Sequence, residues 1–210
     1  WHLFEEAVQA GVTIEKIFAL ESHGDQLAAF PQTVWVSEEI LRDLADTQTP
    51  QGIVAVIQKE EVGPPDFSQG KFLFLEDVQD PGNVGTMIRT ADAAGFIGVI
   101  VSDKSADIYS LKTLRSMQGS HFHLPIYRMP VATFIAEAKK SNLPILATTL
   151  SRDSKDYREL SPLEDFALVM GNEGQGISPI MAESANQLVH IGMKGRAESL
   201  NVAVAAGILM

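Results

Sequence analysis

The 210-residue chain is expected to be an α/β protein in which a parallel sheet, covered by helices on both faces, follows a smaller α/β unit. Three observations predict this. Short apolar runs recur at Phe72–Leu75, Ile97–Val101, Ile145–Thr149, Ala167–Met170 and Leu188–Ile191, the pattern of strands buried on both faces. Helix-spaced stretches fall between them, near 84–95, 131–141 and 177–186, and that alternation points to parallel pairing. A charged, then Pro/Gly-rich passage, Lys59-Glu60-Glu61-Val62-Gly63-Pro64-Pro65-Asp66, divides this region from what precedes it. The expected organisation is a small α/β domain over 1–60, a linker over 61–70 and the larger domain over 71–210.

In the front unit, residues 2–10 have helical spacing and stop at Gly11, a common C-terminal punctuation. Lys16–Leu20 and Val34–Val36 have strand length. Ser37 is placed to cap a helix whose inner face would carry Ile40, Leu41 and Leu44. Gly52–Gln58 is β-branched and strand-like. The chain opens Trp1-His2-Leu3 without Met and closes Gly207-Ile208-Leu209-Met210 inside an apolar run, so the biological protein is expected to continue beyond both ends.

Composition narrows the class. With 45% hydrophobic and 20% charged residues, the chain is neither a disordered tail nor a low-complexity array. No apolar run approaches the roughly 18 residues of a membrane span, and no leader pattern stands at the front. The absence of Cys removes disulfides, thiolate metal sites and cysteine nucleophiles. A cytoplasmic location is the simplest expectation. The net charge of −11 is uneven: residues 1–66 carry three basic against twelve acidic residues, and the remainder thirteen against fifteen. Such a surface repels polyanions at long range. Binding RNA would therefore need dimerisation to gather Lys112, Arg115, Arg128, Lys139, Lys140, Arg152, Lys155, Arg158, Lys194 and Arg196 around the site.

Ligands of open parallel sheets bind beyond the carboxyl ends of the strands, and three strands there run into unusual sequence. The first leads into Glu76-Asp77-Val78-Gln79-Asp80-Pro81-Gly82-Asn83, then a helix with Val84, Met87, Ile88 and Ala91 on its buried stripe. Taken alone, Asn83 reads as the helix cap and Arg89 as a solvated side chain or a partner of Asp92 at i+3. The second leads into Gly171-Asn172-Glu173-Gly174-Gln175-Gly176. This lacks the Lys and Ser/Thr of a P-loop and has the wrong glycine order for a dinucleotide fold, which argues against a nucleotide hydrolase. The third runs Ile191-Gly192-Met193 and on through Glu198-Ser199-Leu200-Asn201 into a helix that is apolar all round and therefore expected to be buried. Asn201, on its first turn, must find a partner. His121 and His123 have no nearby Cys or carboxylate pair, and no metal is expected.

Together and in this order, the three segments resemble the SpoU (TrmH-like) family of RNA ribose 2′-O-methyltransferases of the SPOUT superfamily. The match is carried by Asn83 through Arg89, by Gly171 through Gly176, and by Glu198-Ser199-Leu200-Asn201-Val202. The stretch Arg115 to Ser120, with Leu124-Pro125, is similar to the family's sequence between its first two motifs. One departure is Gly192, where the third motif usually has proline, which suggests a less rigid cofactor wall. The front unit, ending Thr49-Pro50-Gln51-Gly52-Ile53, is similar to the ribosomal-protein-like substrate-binding domain often attached to this family.

The resemblance implies a deep C-terminal trefoil knot, an exception to the usual rule of unknotted chains, and a homodimer whose final helix helps complete the site. It implies S-adenosylmethionine as cofactor, contacted by Gly171, Ile191, Met193 and Leu200, with Thr148 and Thr149 as further candidates. It implies catalytic roles for Arg89, Asn83, Glu173, Ser199 and Asn201. The family's Arg has been proposed as the base, but a guanidinium stays protonated. Clamping a phosphate and stabilising alkoxide charge fit Arg89 better. The expected substrate is ribosomal RNA. The alternatives are transfer RNA, a protein or small-molecule acceptor, and an inactive RNA-binding or assembly protein of the same fold.

Overall fold

The computed structural model describes residues 1–210 apart from Asp46, Gln48 and Glu60; Glu60, within the expected linker passage, thus lies outside the described residues. Chain contacts divide the molecule into Trp1–Glu61 and Val62–Met210.

The first unit begins with α1 (His2–Ala10), closed by Gly11 in the left-handed conformation, whose N–H reaches the carbonyls of Ala7 and Val8. Three strands follow, β1 (Ile14–Ala19), β2 (Thr33–Trp35) and β3 (Ile53–Ile57), with α2 (Glu38–Ala45) between the last two. The sheet order is β2-β1-β3, with β2 parallel and β3 antiparallel to β1. Phe4, Ile17, Ala19 and Leu27 form its core. The expected inner face of α2 is corrected: Leu41 is buried, but Ile40 and Leu44 are 49% and 41% exposed. The helix packs on β3, an edge strand, and a single strand offers no second row of side chains to cover its flanks.

The second unit alternates β4 (Lys71–Leu75), α3 (Pro81–Ala93), β5 (Gly98–Val101), α4 (Leu111–Met117), β6 (Ile126–Arg128), α5 (Val131–Lys140), β7 (Ile145–Thr148), β8 (Lys155–Asp156), β9 (Phe166–Met170), α6 (Pro179–Ser184), β10 (Gln187–His190) and α7 (Val202–Leu209). The strands form one seven-stranded sheet, β6-β5-β4-β9-β7-β10-β8, parallel at every pairing. Strand side chains alternate between two cores. Leu73, Leu75, Val99 and Val101 pack with Val84, Met87, Ile88 and Ala91 of α3 and with Ala203 and Ala206 of α7. Phe72, Phe74 and Ile100 pack on the other face with Phe134 and Ala138 of α5 and Met181 of α6. Helices on both faces explain why these strands read as unbroken apolar runs.

One close approach and one chain crossing set the geometry at the carboxyl end of the sheet. Gly85 of α3 lies so close to α4 that an added Cβ would stand 2.5 Å from Ser116 Cβ and 2.6 Å from the Thr113 carbonyl oxygen. The last strand, β10, sits between β7 and β8, so the segment joining β7 to β8 crosses β10. The expectation that the final helix is wholly buried is overturned. Only Ala203 and Ala206 of α7 are buried, while Val204 is 53% and Ile208 41% exposed. Its small residues seat it against α3, with Gly207 near Thr90, and its outward face has no partner within the described residues of the chain.

Candidate active site

The polar cluster at the start of α3 is built from three distant stretches. Asp80, not Asn83, is the N-cap of α3: its Oδ1 accepts the Asn83 N–H at 2.9 Å, and Pro81 takes the first helical position, where no N–H is needed. The carboxylate's other oxygen accepts from Lys112 Nζ at 2.9 Å, which holds the Asp80 carboxyl below the usual carboxylate range. Because Asp80 caps the helix, the Asn83 side chain is available for other contacts.

Its orientation follows from donor and acceptor types. Glu173 is a carboxylate and can only accept, so Asn83 presents Nδ2 to it, at 3.2 Å. Asn83 Oδ1 then faces Asn201 and accepts from its Nδ2 at 3.1 Å. That leaves Asn201 Oδ1 to accept the free N–H groups of Ala203 and Val204 at 2.9 and 3.3 Å, capping α7. Glu173 also receives the Gln79 and Asp80 backbone N–H groups, each at 3.4 Å. One directional relay thus links residues 90 and 118 positions from Asn83. Asn201 has the partner that its position required.

The loop bearing Glu173 is tightly built. Asn172 and Gly176 exchange both backbone hydrogen bonds, at 3.0 and 2.9 Å. Asn172 Oδ1 accepts from the Gly174 and Gln175 N–H groups, and its Nδ2 donates to the Asp77 carbonyl at 2.8 Å. A Cβ on Gly171 would stand 2.4 Å from the Gly176 carbonyl carbon, so only glycine fits where β9 enters the loop. Beneath it lies Glu76, 2% exposed, its carboxyl raised by burial. Asp77 is held by Ser102, whose hydroxyl donates to Oδ1 at 2.6 Å and accepts the Asp77 N–H at 2.8 Å. Arg128 in turn binds the 102–106 turn through the carbonyls of Ser102, Asp103, Ser105 and Ala106. The sequence carries no signal for these supporting residues. Arg128 counts there among the cations available to RNA, and nothing in a sequence distinguishes a guanidinium that binds its own backbone.

Arg89 is exposed on α3, opposite the buried stripe. It makes no ion pair among the described residues, and its expected partner Asp92 bonds His123 Nδ1 instead, at 2.8 Å. Ser199 and Leu200 are exposed and Ile191 and Met193 half-buried on the loop between β10 and α7. Thr148 Oγ1 donates to the Val169 carbonyl within the sheet at 2.9 Å, and the Thr149 N–H donates to the Val189 carbonyl. Thr149, Gly171 and Ile191 continue from the carboxyl ends of three adjacent parallel strands, β7, β9 and β10. The structure therefore unites Asn83, Glu173 and Asn201 directly and leaves Arg89 and Ser199 outside their hydrogen bonds. Among the described residues no group of three or more His, Asp and Glu has metal-holding geometry.

The fold and the relay define an α/β protein with a polar site at the carboxyl end of its parallel sheet. Residues 70–210 match the SpoU rRNA Methylase family, and residues 1–62 match the RNA 2′-O ribose methyltransferase substrate-binding domain. The chain belongs to the SpoU rRNA methylase family. It is 39% identical to the 23S rRNA (guanosine(2553)-2′-O)-methyltransferase RlmP of Bacillus subtilis, across the whole chain and 84% of that protein. Its fold is similar to that of an rRNA methyltransferase from Sinorhizobium meliloti with AdoMet bound, at a TM-score of 0.88 and 33% identity, covering all of this chain and 82% of the other. It is also similar to the SpoU methyltransferase AviRb of Streptomyces viridochromogenes in complex with AdoMet, at a TM-score of 0.83 and 28% identity over 99% and 84% of the two chains.

Proposed function

We propose that the protein transfers a methyl group from S-adenosylmethionine to a ribose 2′-hydroxyl of ribosomal RNA. The observation that carries this reading is the Glu173–Asn83–Asn201 relay, which draws the three motif segments together at the head of α3. Ribosomal RNA is favoured over transfer RNA because the 39%-identical relative, which matches the whole chain including the first unit, is a 23S rRNA enzyme. In this reading the first unit presents the RNA, and the enzyme works in the cytoplasm. The strand order, with β10 lying between β7 and β8, supports a trefoil knot. The exposed Val204 and Ile208 of α7 support a homodimer.

The residues present fit the cofactor. Gly171 is needed by the turn of its own loop, and beside it the carboxyl ends of β7, β9 and β10 bring three loops together, with Met193 half-buried and Leu200 exposed as apolar surface for the cofactor. Gly171, Ile191, Met193 and Leu200 would hold S-adenosylmethionine, with Thr149 and the backbone of Thr148 at the margin. Bound there, it supplies a methyl group already activated by a sulfonium, so the protein's task is alignment. Arg89 keeps its charge at every working pH. Exposed and without an ion-pair partner among the described residues, it is suited to clamp the phosphate beside the target ribose and to stabilise charge growing on the 2′-oxygen. Asn83 and Glu173 orient the ribose, and Ser199 and Asn201 line the same pocket from the third segment. No metal enters this scheme.

The test is methyl transfer to ribosomal RNA transcribed without modifications, followed by digestion to nucleosides. Label in a 2′-O-methyl nucleoside is expected. Label confined to a base, or none with cofactor bound, would overturn the assignment.

A further inference from the structure

The loop between β10 and α7 contains Gly192, flanked by the two proposed cofactor contacts Ile191 and Met193. Its backbone does not demand glycine, because its φ is not among the positive values of the chain. Space does. A Cβ on Gly192 would stand 2.6 Å from Asp156 Oδ2 and 3.3 Å from a terminal nitrogen of Arg158. The volume that a side chain would take is already filled by an ion pair from another segment.

That pair is itself constrained. Asp156 ends β8, which runs parallel to β10 with His190 opposite Asp156, so the carboxylate projects beside the start of the loop. Arg158 grips both of its oxygens, Nε to Oδ1 at 2.8 Å and a terminal nitrogen to Oδ2 at 2.6 Å, and its backbone N–H adds a bond to Oδ1 at 3.0 Å. The Asp156 side chain is only 13% exposed. A short side chain held by a two-pronged guanidinium cannot swing aside without losing those bonds.

We infer that the Asp156–Arg158 pair and Gly192 form a latch that fixes the Ile191–Met193 loop for cofactor binding, with Asp156 and Arg158 as positioning residues. Gly192 does not loosen this wall; the pair supplies the stiffness that a proline ring would otherwise provide. The inference rests on the proposed function, because the loop matters in this way only if it holds S-adenosylmethionine.

The experiment is a double-mutant cycle on the full chain, with S-adenosylmethionine affinity read by calorimetry and KM and kcat by methyl transfer. Gly192→Ala is expected to raise the cofactor Kd and KM about fivefold or more, the factor carried by roughly one hydrogen bond, with kcat at saturating cofactor little changed and the melting temperature lowered by the strained pair. Asp156→Ala is expected to weaken binding comparably. In the double variant the two effects are expected not to add, because the methyl group then enters the space left by the carboxylate. A Gly192→Ala affinity within about twofold of the unsubstituted protein, or simple additivity, would overturn the latch while leaving the proposed function standing. If the unsubstituted protein bound no S-adenosylmethionine, the proposed function would fail and the latch with it.

Discussion

Asn83 is the residue on which the site turns, because its two amide ends face groups of opposite demand. Glu173 accepts from it and Asn201 donates to it, so neither neighbour can be replaced by a group of the opposite type without breaking the sequence of bonds. Glu173→Gln keeps size and shape but sets an NH2 group among three donors. It is expected to lower kcat about ten- to a hundredfold, in line with a lost charge-assisted bond, as measured by steady-state methyl transfer. His121 bears on stability instead. It packs against Phe122 with its Nδ1 buried and unpartnered, and burial first, then the neighbouring His123, lowers its pKa to about 4. The unfolded chain then binds a proton near pH 6.5 that the folded chain refuses until about pH 4. Its share of stability is therefore complete above that window and lost as pH falls through it. Denaturant titrations at about pH 7 and about pH 4.5 are expected to show a smaller loss for His121→Gln than for the unsubstituted protein. At this scale the polar site residues are legible because Asn, Glu and Arg stand out in glycine-rich turns. The cap is easily misassigned because Asp80-Pro81-Gly82-Asn83 offers two cap-forming residues. Proline, which belongs at the first helical position, marks the residue before it.

The strands of the large unit are legible as elements because burial on both faces writes an unbroken apolar run. The elements that escape a sequence reading carry no such signal. β8 is Lys155-Asp156, two polar residues. β6 has three residues at the sheet edge. α4 buries Thr113 and Met117, a stripe too thin and too polar to register as amphipathic. Yet β8 and α4 support the site: β8 brings Asp156 to the third loop, and α4 packs on α3 at Gly85. Gly85→Val would force these helices apart and is expected to destabilise the protein by about 1–3 kcal/mol, the usual cost of overpacking. Chemical denaturation measures that loss.

Across the whole molecule the acidic balance is a true feature of the composition whose consequence for RNA is local rather than global. Lys112, Arg128 and Arg158 are occupied by Asp80, backbone carbonyls and Asp156, whereas Arg115, Arg152 and Lys155 are exposed. Lys194 and Arg196 stand exposed on the third loop, beside the proposed cofactor contacts, where local charge can outweigh the net value. Dimerisation across α7 is the second whole-molecule expectation. The helix reads as buried from its composition, and within one chain its outer face is open, since a sequence cannot say which molecule covers an apolar face. Val204→Asp with Ile208→Asp is expected to yield monomers by analytical ultracentrifugation and to abolish methyl transfer.

The most direct test of the proposed methyl transfer is a single-turnover measurement on Arg89→Ala, with S-adenosylmethionine affinity measured alongside. Arg89 lies outside the Glu173–Asn83–Asn201 bonds and is not among the proposed cofactor contacts, so cofactor affinity is expected to stay close to that of the unsubstituted protein while the transfer rate falls at least about a hundredfold, the scale of losing one preorganised charge stabiliser. A rate within about tenfold of the unsubstituted protein would contradict the catalytic role assigned to Arg89.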